Sequence, residues 1–420
     1  MIMSPSHPWM GLSRSRGRLG RRYAQLILVA GIAGYALLLV LSPFPYWPSF
    51  RAVFTSVTVA RSITLRQRAV LYKYLLKDML ALPVISFFWL IDEILFRGYR
   101  KVEVAAPVFI AGEPRSGTTF LHRTMSADKN FISLKHLEWR YPLISLWKLI
   151  DLFHLRSRVE KVHYWPNTPA GRLARKMHDD RLGSFEEHGM FFEERFYHHY
   201  FVFRRYPFPE LLGKVTDFSH LSERDRTRMM DIFKRAVQKT MYYRGRDRVW
   251  LTKENESIQL YEMLGRAFPD SRFIFIVRNP HECIASYVNL SKTSTMTKTG
   301  IDPFTIPGWH DANIAFRRSE CVQLVEFWRR ISKANPSVAV TYRQFTADIM
   351  GTVSFIYERL GLPMSEAYAM HLRQLARREK VRHSGYENEP YDARGFEFYS
   401  RFVADVEASR AGGDRILGLK

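Results

Sequence analysis

Runs of apolar residues, and the charges that interrupt them, divide the chain near position 105. The first part holds two long apolar stretches. Residues 26–41, LILVAGIAGYALLLVL, carry no charge and follow a basic stretch with Arg14, Arg16, Arg18, Arg21 and Arg22. With its flanks, the segment at about 24–42 approaches the ~20 residues that span a bilayer. Tyr46 and Trp47 stand where an aromatic belt would lie. No small-x-small cleavage site follows, as a removed signal peptide would require. The second stretch, residues 79–96, is interrupted by Pro83, Asp92 and Glu93, and charges are costly in lipid. It predicts an amphipathic helix over about 79–97, lying on a membrane or on the rest of the protein. Basic residues flank the first stretch on both sides, so charge asymmetry leaves its orientation open.

Beyond 105 the apolar runs shorten and alternate with helical patterns. Residues 108–111 (VFIA), 273–277 (FIFIV) and 338–342 (VAVTY) read as buried strands, and WLTK at 250–253 as a strand end. Residues 118 to about 128, 258–268, 352–360 and a stretch starting at Pro280 read as helices; proline suits a first helical position. Gly361 and Pro363 stop one of them. Residues 156–250 read as charged, aromatic helical text. Strand–helix alternation predicts a parallel sheet with right-handed crossovers, here an α/β fold of three α/β/α layers. The expected organisation is a membrane-associating region at 1–105 followed by one domain at 106–420.

The chain has 420 residues, of which 46% are hydrophobic, enough for a sizeable core. Its net charge of +22 suits an anionic nucleotide or an anionic membrane surface. Nucleic acid is not expected as a partner, because the basic residues are spread along the chain and no nucleic-acid module accompanies them. The two cysteines, Cys283 and Cys321, form no metal-spaced pair. A disulfide scaffold and a metal site are therefore not expected.

The first apolar strand of the domain runs into Gly112-Glu113-Pro114-Arg115-Ser116-Gly117-Thr118-Thr119. A strand, a glycine turn and a helix start form an anion cradle. The two glycines have Walker A spacing, but Thr118 stands where a nucleotide triphosphatase needs lysine. The fixed cation is Arg115. Pro114 to Thr119 resembles the 5'-phosphosulfate loop of sulfotransferases that use 3'-phosphoadenosine 5'-phosphosulfate (PAPS). It is closest to the tyrosylprotein and bacterial branch, in which arginine stands at this position.

The resemblance covers roughly 105–365 and implies further site residues. Arg278 ends the 273–277 strand, and Ser286 follows eight residues later, as in the 3'-phosphate motif of the family. Lys253 stands fifteen residues before Phe268-Pro269-Asp270, the spacing of a family lysine that contacts the scissile sulfate. The chain departs from the pattern after it, since Lys253-Glu254-Asn255-Glu256 lacks the usual proline. Glu138, about twenty-four residues after the loop proline, matches the expected general base, with His136 as rival. His122 would pack against the loop or orient it. Glu186 and Glu187 resemble an acidic pair of the bacterial branch on the acceptor side. Lys380, Arg382, His383 and Gly385 are candidates for a basic loop that closes over the nucleotide.

The expected catalytic set is thus Glu138, Lys253, Arg115 and His136. The expected PAPS-binding set is Arg115, Ser116, Gly117, Thr118, Thr119, Arg278 and Ser286. The implied reaction is metal-free sulfuryl transfer to an acceptor hydroxyl on a glycan, lipid or other alcohol. The rivals are a P-loop kinase or nucleotidase, and a non-catalytic membrane scaffold. The catalytic domain is expected at a membrane, on its cytosolic side.

Overall fold

The computed structural model describes Tyr23 and residues 25–38, 45–379 and 394–411, apart from residues 166, 178, 194, 198, 199, 213, 216, 217, 219, 220 and 256. The proposed late basic loop at Lys380, Arg382, His383 and Gly385 lies outside the described residues.

Five strands form one sheet: β1 (Val108–Ala111), β2 (Phe131–Ile132), β3 (Val249–Glu254), β4 (Arg272–Val277) and β5 (Ser337–Thr341). Their order is β2-β3-β1-β4-β5, and every pairing is parallel. In β1 the pleat sends alternate side chains to opposite faces. Phe109 and Ala111 join one core with Trp250, Phe273 and Phe275, while Val108 and Ile110 join another with Leu251, Ile274 and Ile276. Helices Glu223–Arg244, Ile258–Ala267 and Trp309–Ala334 cover the first face, and Thr118–Met125, Ile349–Arg359 and Glu366–Glu379 the second. These are the three layers that continuous apolar strands require.

Two details of the sheet differ from the expectation. β2 has only two residues, too short to leave an apolar run. The last strand stops at Thr341 rather than at 342, because the Thr341 side chain accepts from Gln344 N and caps helix Tyr342–Ala347 in a capping box.

At the N-terminal side, Leu65–Leu95 is one helix containing Pro83. Its inward residues Leu82, Ile85 and Trp89 join the core on the first face of the sheet. A proline at 83 has no N–H to give to the Met79 carbonyl one turn earlier. The Tyr35 hydroxyl donates to that carbonyl instead, at 2.6 Å. The bond pins the shorter apolar helix Gln25–Leu38 to the longer one.

Candidate functional site

The site forms where β1, β3 and β4 end. After β1 the chain turns so tightly that only glycine fits at 112: a Cβ there would lie 2.3 Å from the Ile276 carbonyl oxygen. Gly117 has φ +99, a left-handed value, and its α-hydrogens face the Tyr342 ring, 2.4 Å from where a Cβ would sit. Arg115 is also left-handed, at φ +71. Helix Thr118–Met125 begins directly after Gly117, with its N-terminus facing the turn. The Ser116 hydroxyl is buried and has no hydrogen-bond partner among the described residues. An unpaired buried donor at a helix N-terminus is the arrangement an anion satisfies.

The motif at the end of β4 closes on this loop. Arg115 Nε donates to Ser286 Oγ at 2.8 Å, and Arg278 Nη1 donates to the Arg115 carbonyl at 3.3 Å. The Arg278 guanidinium lies over the Tyr342 ring, 4.3 Å from its centre, and pairs with Glu282 at 2.5 Å. Ser286 lies on helix Pro280–Thr299, which starts with Asn279 as cap and Pro280 at its first turn. Loop, arginine and serine, far apart in sequence, thus meet in one place.

Lys253 sits on β3 opposite Ile110 of β1 and is fully buried. Its ammonium pairs with Glu187 Oε2. The other Glu187 oxygen accepts from Arg204 Nη2 at 2.9 Å. From there a chain of ion pairs runs inward from the half-buried Arg204: Arg204 to Glu193 at 3.8 Å, Glu193 to Arg205 at 3.4 Å and Arg205 to Asp78 at 2.7 Å. Burial alone would raise the Glu193 carboxyl, but Lys298, Arg204, Arg205 and Arg140 hold it down at about 2. His122 is held neutral, pushed down to about 3 by burial and by the Lys253 charge.

Glu138 lies on the short helix His136–Arg140. Its Oε2 accepts from Lys135 N and from Arg244 Nη1, both at 2.8 Å. Its Oε1 is buried with no hydrogen-bond partner among the described residues. The buried His136 ring stands edge-on to Tyr164, at 5.1 Å. Two hydrogen bonds tie this helix to the segment that carries Glu186 and Glu187: backbone His136 N donates to Ser184 O at 2.9 Å, and the Trp139 side chain donates from Nε1 to Glu186 O at 3.0 Å. His188 N in turn donates to Lys253 O at 3.3 Å. Of the carboxylates the sequence singled out, the one in contact with Lys253 is Glu187 rather than Glu138.

Behind the loop is a group that sequence reasoning missed. Glu113 is fully buried and pushed up to about 7 by burial, although Arg317 and a bond with Cys321 pull it back. The Arg317 guanidinium is enclosed by the Phe316, Tyr287 and Phe203 rings, with centres at 4.5, 5.1 and 5.2 Å. Glu320, on the same helix as Arg317, is pushed up to about 8 by burial and accepts from Ile258 N at 3.0 Å. Only the position of Glu113 inside the loop could have flagged it.

Residues 107–366 match the sulfotransferase family. Stf3 of Mycobacterium tuberculosis, an omega-hydroxy-beta-dihydromenaquinone-9 sulfotransferase, is 24% identical over 297 residues, covering 68% of this chain and 69% of its own. Its counterpart in Mycobacterium bovis matches equally. Among solved structures, sulfotransferase STF9 of Mycobacterium avium superposes with a TM-score of 0.63 at 16% identity, over 92% of this chain and 97% of its own. STF1 of Mycobacterium tuberculosis follows at 0.59 and 16%, over 89% and 97%. The fold and the family match agree, and the chain belongs to the sulfotransferase family.

Proposed function

We propose that the protein transfers a sulfuryl group from PAPS to the hydroxyl of a lipid-like alcohol. One observation carries the donor assignment: Arg115, Ser286 and Arg278 converge on a phosphate-type loop in which Thr118 replaces the Walker lysine. The residues fit the donor. Ser116 brings a buried hydroxyl with no partner among the described residues, Gly117 and Thr118 bring the open helix N-terminus, and Thr119 lies in its first turn. These would hold the 5'-phosphosulfate, while Arg278 and Ser286 would hold the 3'-phosphate as an arginine fork and a hydroxyl.

In the reaction, the acceptor oxygen forms a bond to sulfur as the bond from sulfur to the 5'-phosphate oxygen breaks. The electron pair of that bond stays on the phosphate, giving adenosine 3',5'-bisphosphate. Lys253 and Arg115 would supply positive charge to the leaving oxygen as it becomes anionic. A carboxylate takes the acceptor proton; Glu138 holds this role in our scheme, with His136 as the alternative. The acceptor class follows Stf3, whose name specifies an omega-hydroxy-beta-dihydromenaquinone-9. We take the acceptor to be membrane-associated and the catalytic domain to lie on the cytosolic side.

The test is a radiolabelled-sulfate donor assay on a membrane extract, with products identified by mass spectrometry. Labelled lipid alcohol is expected; labelled product that requires magnesium and a nucleoside triphosphate would revive a P-loop kinase. Adenosine 3',5'-bisphosphate should also bind without metal. At ~100 times its Kd it should stabilise the fold by about 2.7 kcal/mol. A thermal melt that does not move at saturation would favour a non-catalytic scaffold.

A further inference from the structure

The Leu65–Leu95 helix is apolar on two opposed faces. Inward, Leu71, Leu75, Leu82, Ile85 and Trp89 are buried. Outward, Leu76, Leu80, Val84, Phe87 and Ile94 are 59, 54, 56, 50 and 66% exposed. They recur every three, four or seven positions, so they form one stripe, about 27 Å long at ~1.5 Å per residue. A helix of a globular protein normally turns charge toward water, and an exposed apolar patch of this extent marks a contact surface.

The charges show what the stripe faces. The exposed ionisable side chains between Leu65 and Leu95 are Arg66, Lys73 and Lys77, all basic. Of the acidic residues, Asp78 and Asp92 are buried and Glu93 pairs with Arg100. The Gln25–Leu38 helix, pinned by Tyr35, is itself apolar and exposed, with Leu26, Leu28, Val29 and Ile32 each at least 60% exposed. An apolar stripe with basic residues toward one end complements the boundary between acyl chains and anionic headgroups.

The helix is long and apolar enough to cross a bilayer, but 39% of its most apolar window is buried inside the protein. Its carboxylates fasten it there. Asp78 pairs with the buried Arg205 at 2.7 Å, and Asp92 pairs with the buried Lys239 at 3.0 Å. Asp92 also accepts from Ile144 N and Ser145 N, each at 2.8 Å. To span, the helix would have to tear these charges out of the domain or drag the domain into lipid. We infer that the helix instead lies flat. Its outward stripe sinks into the surface of an anionic bilayer, and its inward face remains part of the catalytic domain. This deepens the lipid-acceptor reading by naming the docking surface, but lipid contact does not require that reading to hold.

The test uses the full chain with single-cysteine reporters, Val84→Cys and Phe87→Cys, carrying a polarity-sensitive dye. Cys283 and Cys321 are 2% and 1% exposed and should stay unlabelled. Glu358→Cys, on an exposed site of the opposite layer, is the reference. With vesicles of phosphatidylcholine and phosphatidylglycerol, both stripe dyes should shift to the blue and be quenched by lipids spin-labelled near the headgroup. The reference dye should not change, and phosphatidylcholine alone should give weaker binding. The triple variant Leu80→Glu/Val84→Glu/Phe87→Glu should bind these vesicles about tenfold or more weakly. It should still be stabilised by adenosine 3',5'-bisphosphate, which reports on the donor site separately. Three results would overturn the proposal. Stripe dyes that stay in water while a Leu28→Cys dye enters lipid would leave the first helix as the tether. Quenching strongest from the bilayer centre would mean a span. A blue shift without vesicles, together with a doubled mass in solution, would make the stripe a dimer interface.

Discussion

Lys253 and Glu187 are 66 positions apart in sequence yet in contact, and their pairing sharpens the question of which carboxylate takes the proton. Glu187 is held by two cations, Lys253 and Arg204. Both of its oxygens are engaged, Oε2 by Lys253 and Oε1 by Arg204. Glu138 has one oxygen engaged by Arg244 and a backbone amide, and the other buried with no partner among the described residues. Glu138→Gln is therefore expected to lower kcat by ~10²–10⁴-fold with donor binding intact. Glu187→Gln should act through Lys253 and lower kcat by a smaller factor. Steady-state kinetics with adenosine 3',5'-bisphosphate titration checks both; an active Glu138→Gln beside an inactive His136→Ala moves the base to His136. Glu113 gives a second prediction at this scale. Its folded pKa is raised to about 7, so the folded state holds its proton where the unfolded chain has released it. Stability from this group is full at acid pH and is lost as pH rises from about 4.5 through 7. The stability gap between Glu113→Gln and the wild type should therefore shift in favour of the variant across that window, in melts followed against pH. A gap that does not change with pH would mean that Glu113 titrates normally. The loop residues could be read from sequence because a short motif carries their geometry. The partners Glu187–Lys253 and Glu113–Arg317 could not, since only the folded sheet brings them together.

At the scale of elements, the long N-terminal helix shows how one residue's defect is repaired by another element. From the sequence, Pro83 reads as an interruption and the helix is expected from about 79. The structure starts it at Leu65, where Thr64 and Gln67 form a capping box, and carries it through the proline. The Tyr35 hydroxyl supplies the missing bond to Met79 O. Tyr35→Phe should then cost about 0.5–1.5 kcal/mol, the net worth of one hydrogen bond. Adding Pro83→Ala restores an N–H for the Met79 carbonyl, so the Tyr35→Phe cost should shrink in that background. A double-mutant cycle by denaturant unfolding measures this coupling; additive costs would mean that the two residues act independently. The strands were readable because continuous apolar runs of four to six residues leave little alternative in an α/β chain. β2 was not readable, because two residues carry no period. The helical region at 156–250 resolves into short pieces and one long helix, Glu223–Arg244, because ion pairs and ring contacts rather than periodicity fix it.

At the scale of the whole molecule, the flat helix and the side of the membrane are linked. If Leu65–Leu95 does not cross, the domain stays on the side where that helix docks, and the topology rests on the Gln25–Leu38 segment alone. Two features motivate our proposal that the domain lies on the cytosolic side. The sequons Asn255-Glu256-Ser257 and Asn289-Leu290-Ser291 lie beside the site, and Asn289 is one turn from Ser286 on helix Pro280–Thr299. A glycan there would crowd the donor. The two cysteines are buried as free thiols, whereas exported domains often use disulfides. Sealed vesicles of known orientation, treated with protease, decide the matter. With the cytosolic face outward, the catalytic domain should be digested without opening the membrane. Added adenosine 3',5'-bisphosphate should slow that digestion by stabilising the fold. Digestion only after the membrane is opened would place the domain on the other side. The Gln25–Leu38 segment, with residues beyond it, would then have to span, and the donor would have to reach a compartment away from the cytosol.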